Sequence, residues 1–134
     1  MKCRAAVALG LAMALAACQS KPVAVVPVQP GKSASLRAME QVATAAHKCW
    51  IASGDQAFKP YRMSNELNSF SGQPRFLLVP ARDIAGRPLL VVQARGPSSQ
   101  VEVFGPLVDG AHGSRIRADI DRWSRGDSGC GTAA

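Results

Sequence analysis

The sequence predicts an α+β fold of two layers, in which a four-stranded antiparallel meander carries an N-terminal and a C-terminal helix on one face. Three observations support this prediction: a helical spacing of apolar residues, four short apolar segments after it, and a second helical spacing that follows them. The 134 residues, 47% hydrophobic and 19% charged, suffice for one domain of this kind. They exclude a two-domain enzyme.

Each predicted helix places its apolar residues on one face. The first covers about residues 34–50, with apolar residues three or four positions apart at Leu36, Met39, Val42, Ala43, Ala46 and Cys49 or Trp50. The second covers about residues 114–125 and ends at Gly126, with Ile116, Ile120 and Trp123 on one face. Because Trp50 and Trp123 align with apolar neighbours, we expect both in the core.

Four strands are predicted between the helices, over about residues 60–68, 75–80, 88–94 and 100–104. Segments rich in Gly, Pro and Ser separate the strands, so consecutive strands are expected to pair as antiparallel hairpins. The two middle strands are apolar on both faces, which is typical of central strands covered on at least one side.

The N-terminal segment has the pattern of a secretory signal peptide. Lys2 and Arg4 precede an apolar run from Ala5 to Ala17. These thirteen residues fit the apolar region of a signal peptide and fall short of the roughly 20 that span a bilayer as a helix. We therefore expect residues 1–17 to be removed.

The end of this run, Leu15-Ala16-Ala17-Cys18, resembles the lipobox of bacterial lipoproteins. The resemblance implies cleavage before Cys18, a diacylglyceryl group on its thiol and usually an acyl chain on its amino group. Gln19 stands where Asp favours the inner membrane in the enterobacterial form of the family, so the resemblance implies an outer-membrane anchor facing the periplasm. The alternative is an ordinary cleavage after Ala17 that leaves Cys18 as a free or paired thiol.

Residues 18–33 are predicted to be the lipidated cysteine and a tether. The spacing of Pro22, Pro27 and Pro30 excludes a helix and a central strand. In polyproline II geometry the tether would reach roughly 45 Å. The sequence leaves open whether its four valines pack on the domain or on a partner. A periplasmic domain over residues 34–130 and a tail over 131–134 complete the chain.

Two cysteines remain for the domain once Cys3 leaves with the signal peptide and Cys18 carries lipid. These are Cys49 and Cys130, and in an oxidising periplasm they allow one disulfide across a separation of 81 residues. The bridge would join the first helix to the C-terminal tail. The alternative is two unpaired thiols.

Two short segments resemble parts of trypsin-like serine proteases. Residues 44–47 (TAAH) are similar to the segment around the catalytic histidine of that family, and residues 126–129 (GDSG) to its nucleophile loop. The resemblance implies His47 as general base and Ser128 as nucleophile, with an acid such as Asp83. Only four residues follow Cys130, where the family needs further strands and a helix. We therefore expect no catalytic residue, and a small periplasmic hydrolase or hydrolase inhibitor remains the alternative function.

No cofactor and no metal site are expected. His47 and His112 are the only histidines, too few for a zinc cluster when the cysteines are already assigned. The glycine-rich patterns that bind phosphate are absent from the sequence.

The charge pattern predicts solvated ion pairs and no basic block. Without Lys2 and Arg4 the chain keeps 14 basic and 9 acidic residues, a net charge of +5. Residues of opposite charge lie four apart on the second helix, which is the spacing of mutually screening pairs on a helix surface. The three predicted pairs are Arg115 with Asp119, Arg117 with Asp121, and Asp121 with Arg125.

Together these features predict a non-enzymatic accessory or structural module of the cell envelope. Its membrane contact would be the lipid on Cys18, and its sheet or tether would recruit an envelope protein or a cell-wall partner. No nucleic acid partner and no small-molecule substrate are expected.

Overall fold

The computed structural model describes residues 31–131 of the chain. The predicted signal peptide, Cys18, the predicted tether up to residue 30 and the tail from residue 132 lie outside the described residues. The elements in chain order are helix α1 (Ala34–Ala46), a π-helical turn (His47–Ala52), strands β1 (Tyr61–Glu66), β2 (Arg75–Pro80), β3 (Leu90–Ala94) and β4 (Val101–Phe104), a 3₁₀ turn (Pro106–Val108) and helix α2 (Gly113–Ser124). The predicted α+β class is confirmed.

The four strands form an antiparallel meander in the order β1-β2-β3-β4, as the turn signals predict. Phe76 of β2 lies opposite Val92 of β3, which in turn lies opposite Val103 of β4. Each hairpin thus joins neighbours in both sequence and space. Both ends of β2 coincide with the prediction, and β1, β3 and β4 are shorter than predicted by three, two and one residues.

Both helices pack on one face of the sheet and form a single core with it. Alternate side chains of the central strands point into this core, and those of Phe76, Leu78, Leu90 and Val92 are fully buried. Trp50 and Trp123 are also buried, with ring centroids 5.0 Å apart, so the prediction that both are core residues is confirmed.

Helix α1 changes geometry near the predicted end. The α-helix ends at Ala46, and the chain continues as a π-helical turn through Ala52. This wider turn buries two consecutive side chains, Cys49 and Trp50, where the helical spacing had left a choice between them. Ser53 then donates its hydroxyl to the Cys49 carbonyl at 2.7 Å, and the chain turns away from the helix.

Candidate functional site

The C-terminal segment is fixed to the π-helical turn by a disulfide between Cys49 and Cys130, and to α2 by hydrogen bonds. Their Cα atoms lie 5.2 Å apart, and the bridge joins the π-helical turn to the segment after α2. The carbonyl oxygen of Gly129 accepts hydrogen bonds from Trp123 Nε1 at 2.9 Å and from Arg122 Nε at 3.2 Å. The bridge therefore closes the domain at the junction of its two helices, as expected from the cysteine count.

Asp119 occupies the centre of a buried polar network between α2 and the π-helical turn. Its carboxylate accepts hydrogen bonds from Trp50 Nε1 at 2.8 Å and from Arg122 Nη2 at 2.6 Å, and it lies 3.7 Å from Arg115 Nε. Only 5% of the side chain is exposed. The prediction that the Arg115–Asp119 pair is solvated is wrong, although the two residues do lie close together. Helix α2 turns this pair toward the interior, where the buried indole N–H of Trp50 needs an acceptor.

Arg115 extends the network to the loop between the π-helical turn and β1. Its guanidinium donates to the carboxylate of Asp55 and lies 5.3 Å from the ring centroid of Phe58, which stacks on Trp50. The hydrogen bond from Arg115 is the largest effect on Asp55 and holds the pKa of that carboxyl below its usual value, against the opposing effect of burial.

The other two predicted pairs on α2 have different outcomes. Asp121 pairs with Arg125, as the spacing predicts. Arg117 does not pair with Asp121. It instead lies 3.7 Å from Asp109 and donates to the Val108 carbonyl at 2.7 Å, because the 3₁₀ turn before α2 places these acceptors beside it.

The lowered pKa of Asp55 predicts an acid-dependent loss of stability. A carboxyl whose folded pKa lies below its unfolded pKa of about 3.9 stabilises the fold fully above that value, and the stabilisation is lost as pH falls through the folded pKa. We expect Asp55→Asn to lower the free energy of unfolding at pH 7 and to flatten its pH dependence below about pH 4. Urea unfolding between neutral and acidic pH measures both effects. Equal slopes for the variant and the wild type in the acid range would contradict this prediction.

The structure does not assemble the residues of the protease resemblance into a triad. His47 is exposed on the π-helical turn and lines a hollow of about 340 Å³ with Asn65. Ser128 lines a different hollow, of about 520 Å³, along the outer face of α1. Asp83 lies in the loop between β2 and β3, and no hydrogen bond joins the three side chains.

Two further observations concern residues 31–131 alone. This part of the chain has no group of three or more His, Cys, Asp and Glu side chains placed to hold a metal ion. It also has no helix of the length and apolar character needed to cross a membrane.

The fold places four cations that are dispersed along the sequence at one end of the sheet. These are Lys59, Arg62, Arg82 and Arg87, which lie where β1 begins and β2 ends or in the loop after β2, and we call these residues the basic end. The Ala81 N–H donates to the Pro60 carbonyl at 2.8 Å, Arg62 lies opposite Val79, and Lys59 and Arg82 line one hollow of about 470 Å³. The feature of the sequence that could have identified the basic end is the pair of predicted hairpins, β1–β2 and β2–β3. They place the start of β1 beside the β2–β3 loop.

No family model, no curated protein and no solved structure matches this chain.

Proposed function

We propose that the protein is a lipid-anchored module of the outer membrane that faces the periplasm and serves a non-enzymatic, accessory or structural role in the cell envelope. The observation that carries this proposal is the segment Leu15-Ala16-Ala17-Cys18 at the end of a thirteen-residue apolar run. Small residues directly before a cysteine at this depth are the feature that distinguishes a lipoprotein signal from an ordinary one. Gln19 supports an outer-membrane anchor over an inner-membrane one.

The disulfide supports the compartment part of this proposal. Structural disulfides persist in oxidising compartments such as the bacterial periplasm and are rare in the cytosol. The Cys49–Cys130 bridge joins a cysteine of the hydrophobic core to the segment that follows α2. Such a position is typical of a bridge that stabilises a small exported domain.

The hydrolase alternative rests on His47 and Ser128, and their placement does not favour it. A serine nucleophile needs its general base within hydrogen-bond reach, about 2.6 to 3.2 Å, whereas within residues 31–131 no hydrogen bond joins the side chains of His47 and Ser128. We therefore propose a recruiting role for the domain, with an envelope protein or a cell-wall polymer as its partner.

Lipidation is tested by labelling cells with a fatty acid. We expect the wild-type protein to incorporate label and to stay with the membrane, and Cys18→Ala to lose both properties, because the lipid is the proposed anchor. The matched control is Cys3→Ala, which removes a cysteine from the part of the chain that is cleaved away and should leave labelling unchanged. A wild-type protein without label, or label that persists in Cys18→Ala, would contradict the proposal.

A further inference from the structure

The basic end differs from the rest of the described surface because its charges are not neutralised. None of Lys59, Arg62, Arg82 and Arg87 forms an ion pair with another residue in the range 31–131. Most other cations of this range do form one. At the opposite end of the sheet Arg75 pairs with Glu66 and Arg95 with Glu102. All four side chains of the basic end are exposed, and the nearby carboxylate of Asp83 offsets one charge.

An exposed apolar side chain lies in the same loop as two of these cations. Ile84 is 68% exposed in the loop between β2 and β3, with Arg82 two residues before it and Arg87 three residues after it. An apolar side chain flanked by Lys and Arg is the composition of surfaces that bind membrane interfaces, since cations attract anionic headgroups while the apolar group enters the acyl boundary.

We propose that the basic end docks on anionic phospholipid headgroups of the membrane that holds the anchor. This inference rests on the proposed function, because it takes the lipid on Cys18 as given. The partner is chosen by charge complementarity: four cations against one carboxylate, with an isoleucine between them, fit a negatively charged surface that has an apolar layer beneath it. A soluble polyanion would supply only the first of these properties.

The anchor makes a weak contact sufficient. Each Lys or Arg near an anionic surface strengthens association by about fivefold, so a net three charges strengthen it by about a hundredfold. This strength would not hold a free protein at a membrane. A short tether, however, keeps the domain at an effective concentration in the millimolar range, where such a contact is occupied for much of the time.

The tether is also long enough for this orientation. Gly31 follows Cys18 by thirteen residues. At about 3.3 to 3.6 Å per residue, a fully extended chain of this length spans at most about 45 Å. A domain of 100 residues has a radius of gyration of about 13 Å. The basic end can therefore reach the membrane wherever the tether enters the domain.

A tryptophan reporter at the loop tip tests this docking. The full lipidated chain that carries Ile84→Trp is reconstituted in vesicles of phosphatidylcholine with about 30% phosphatidylglycerol. The lipids have brominated acyl chains, and bromine quenches the fluorescence of an indole that contacts it. Trp50 and Trp123 are buried, so they contribute a constant background. The matched position is Phe70→Trp, a fully exposed aromatic in the β1–β2 loop at the opposite end of the sheet.

We expect quenching of the reporter at position 84, none above background at position 70, and none in vesicles of phosphatidylcholine alone. Arg82→Gln with Arg87→Gln should weaken docking by about 25-fold, and raised salt should weaken it as well. The control pair, Arg37→Gln with Lys48→Gln, removes one exposed cation from α1 and one from the π-helical turn and should leave quenching unchanged.

Several outcomes would overturn this inference. Fatty-acid labelling is measured on the same preparation, so a labelled chain without quenching at position 84 refutes the docking and leaves the proposed function standing. Equal quenching at positions 70 and 84, or quenching that both charge variants reduce alike, also refutes a specific docking surface. Binding of the protein to polyglutamate, without quenching of the reporter in vesicles, would assign the basic end to an acidic polymer instead of a membrane. An unlabelled chain refutes the proposed function and the docking with it.

Discussion

Loss of the disulfide is expected to produce the largest destabilisation of the domain. Cys130→Ser should lower the free energy of unfolding by about 4 to 5 kcal/mol, since the bridge spans 81 residues and restricts the unfolded chain accordingly. For a domain of this size each kcal/mol corresponds to about 4 °C, so the midpoint of thermal unfolding should fall by about 15 to 20 °C. Thermal unfolding followed by circular dichroism measures this shift, and lipidation and membrane location should be unaffected.

The control for this variant is the neighbouring exposed serine. Ser128→Ala should change the free energy of unfolding by less than about 0.5 kcal/mol, because its side chain makes no hydrogen bond within residues 31–131. Reduction of the wild-type protein should lower its midpoint to that of Cys130→Ser. If reduced and oxidised wild type unfold at the same temperature as the variant, the bridge does not stabilise the domain.

Removal of the Asp119 carboxylate is expected to have the second large effect. Asp119→Ala leaves the buried indole N–H of Trp50 without an acceptor and removes the shared counter-ion of Arg115 and Arg122, whose side chains are 19% and 24% exposed. Breaking a buried ionic network from one side costs about 3 to 5 kcal/mol, because it leaves polar and charged groups unpaired. Urea unfolding at neutral pH measures the loss.

Asp121 provides a matched control two residues further along α2. It forms an ion pair with Arg125 in which both side chains are more than 60% exposed, so Asp121→Ala should cost no more than about 1 kcal/mol. Both substitutions change the helix propensity equally, and the difference between them isolates burial. Equal effects of the two variants would contradict the structural importance assigned to the network.

Most of the fold could be predicted because its determinants are local. Turn residues and alternating apolar residues fix each hairpin within about 20 residues of chain, and a meander has no long-range pairing to guess. The change to a π-helical turn at His47 could not be predicted this way. The turn packs Trp50 against Phe58 in the loop that follows it and against Trp123 on α2, and helical spacing carries no information on these contacts.

The polar features were harder to predict for the same reason. The spacing of four identifies the Arg115–Asp119 pair, but it carries no information on which face of α2 meets α1, so it predicts a solvated pair where the structure has a buried network. Arg117 found a partner in Asp109 on a turn that the sequence analysis did not predict. The basic end is spread over residues 59–87 and becomes visible only when the hairpin register is known.

The most direct test of the proposed lipid anchor is the intact mass of the protein isolated from cell envelopes, with sequencing of its N-terminal peptide. We expect a mature chain that begins at Cys18, carries a diacylglyceryl group and a further acyl chain on that residue, and is lighter by the two hydrogen atoms that are removed when the Cys49–Cys130 bridge forms. A mature chain that begins after Cys18, or one that begins at Cys18 without lipid, would contradict the central claim of a lipid-anchored envelope module.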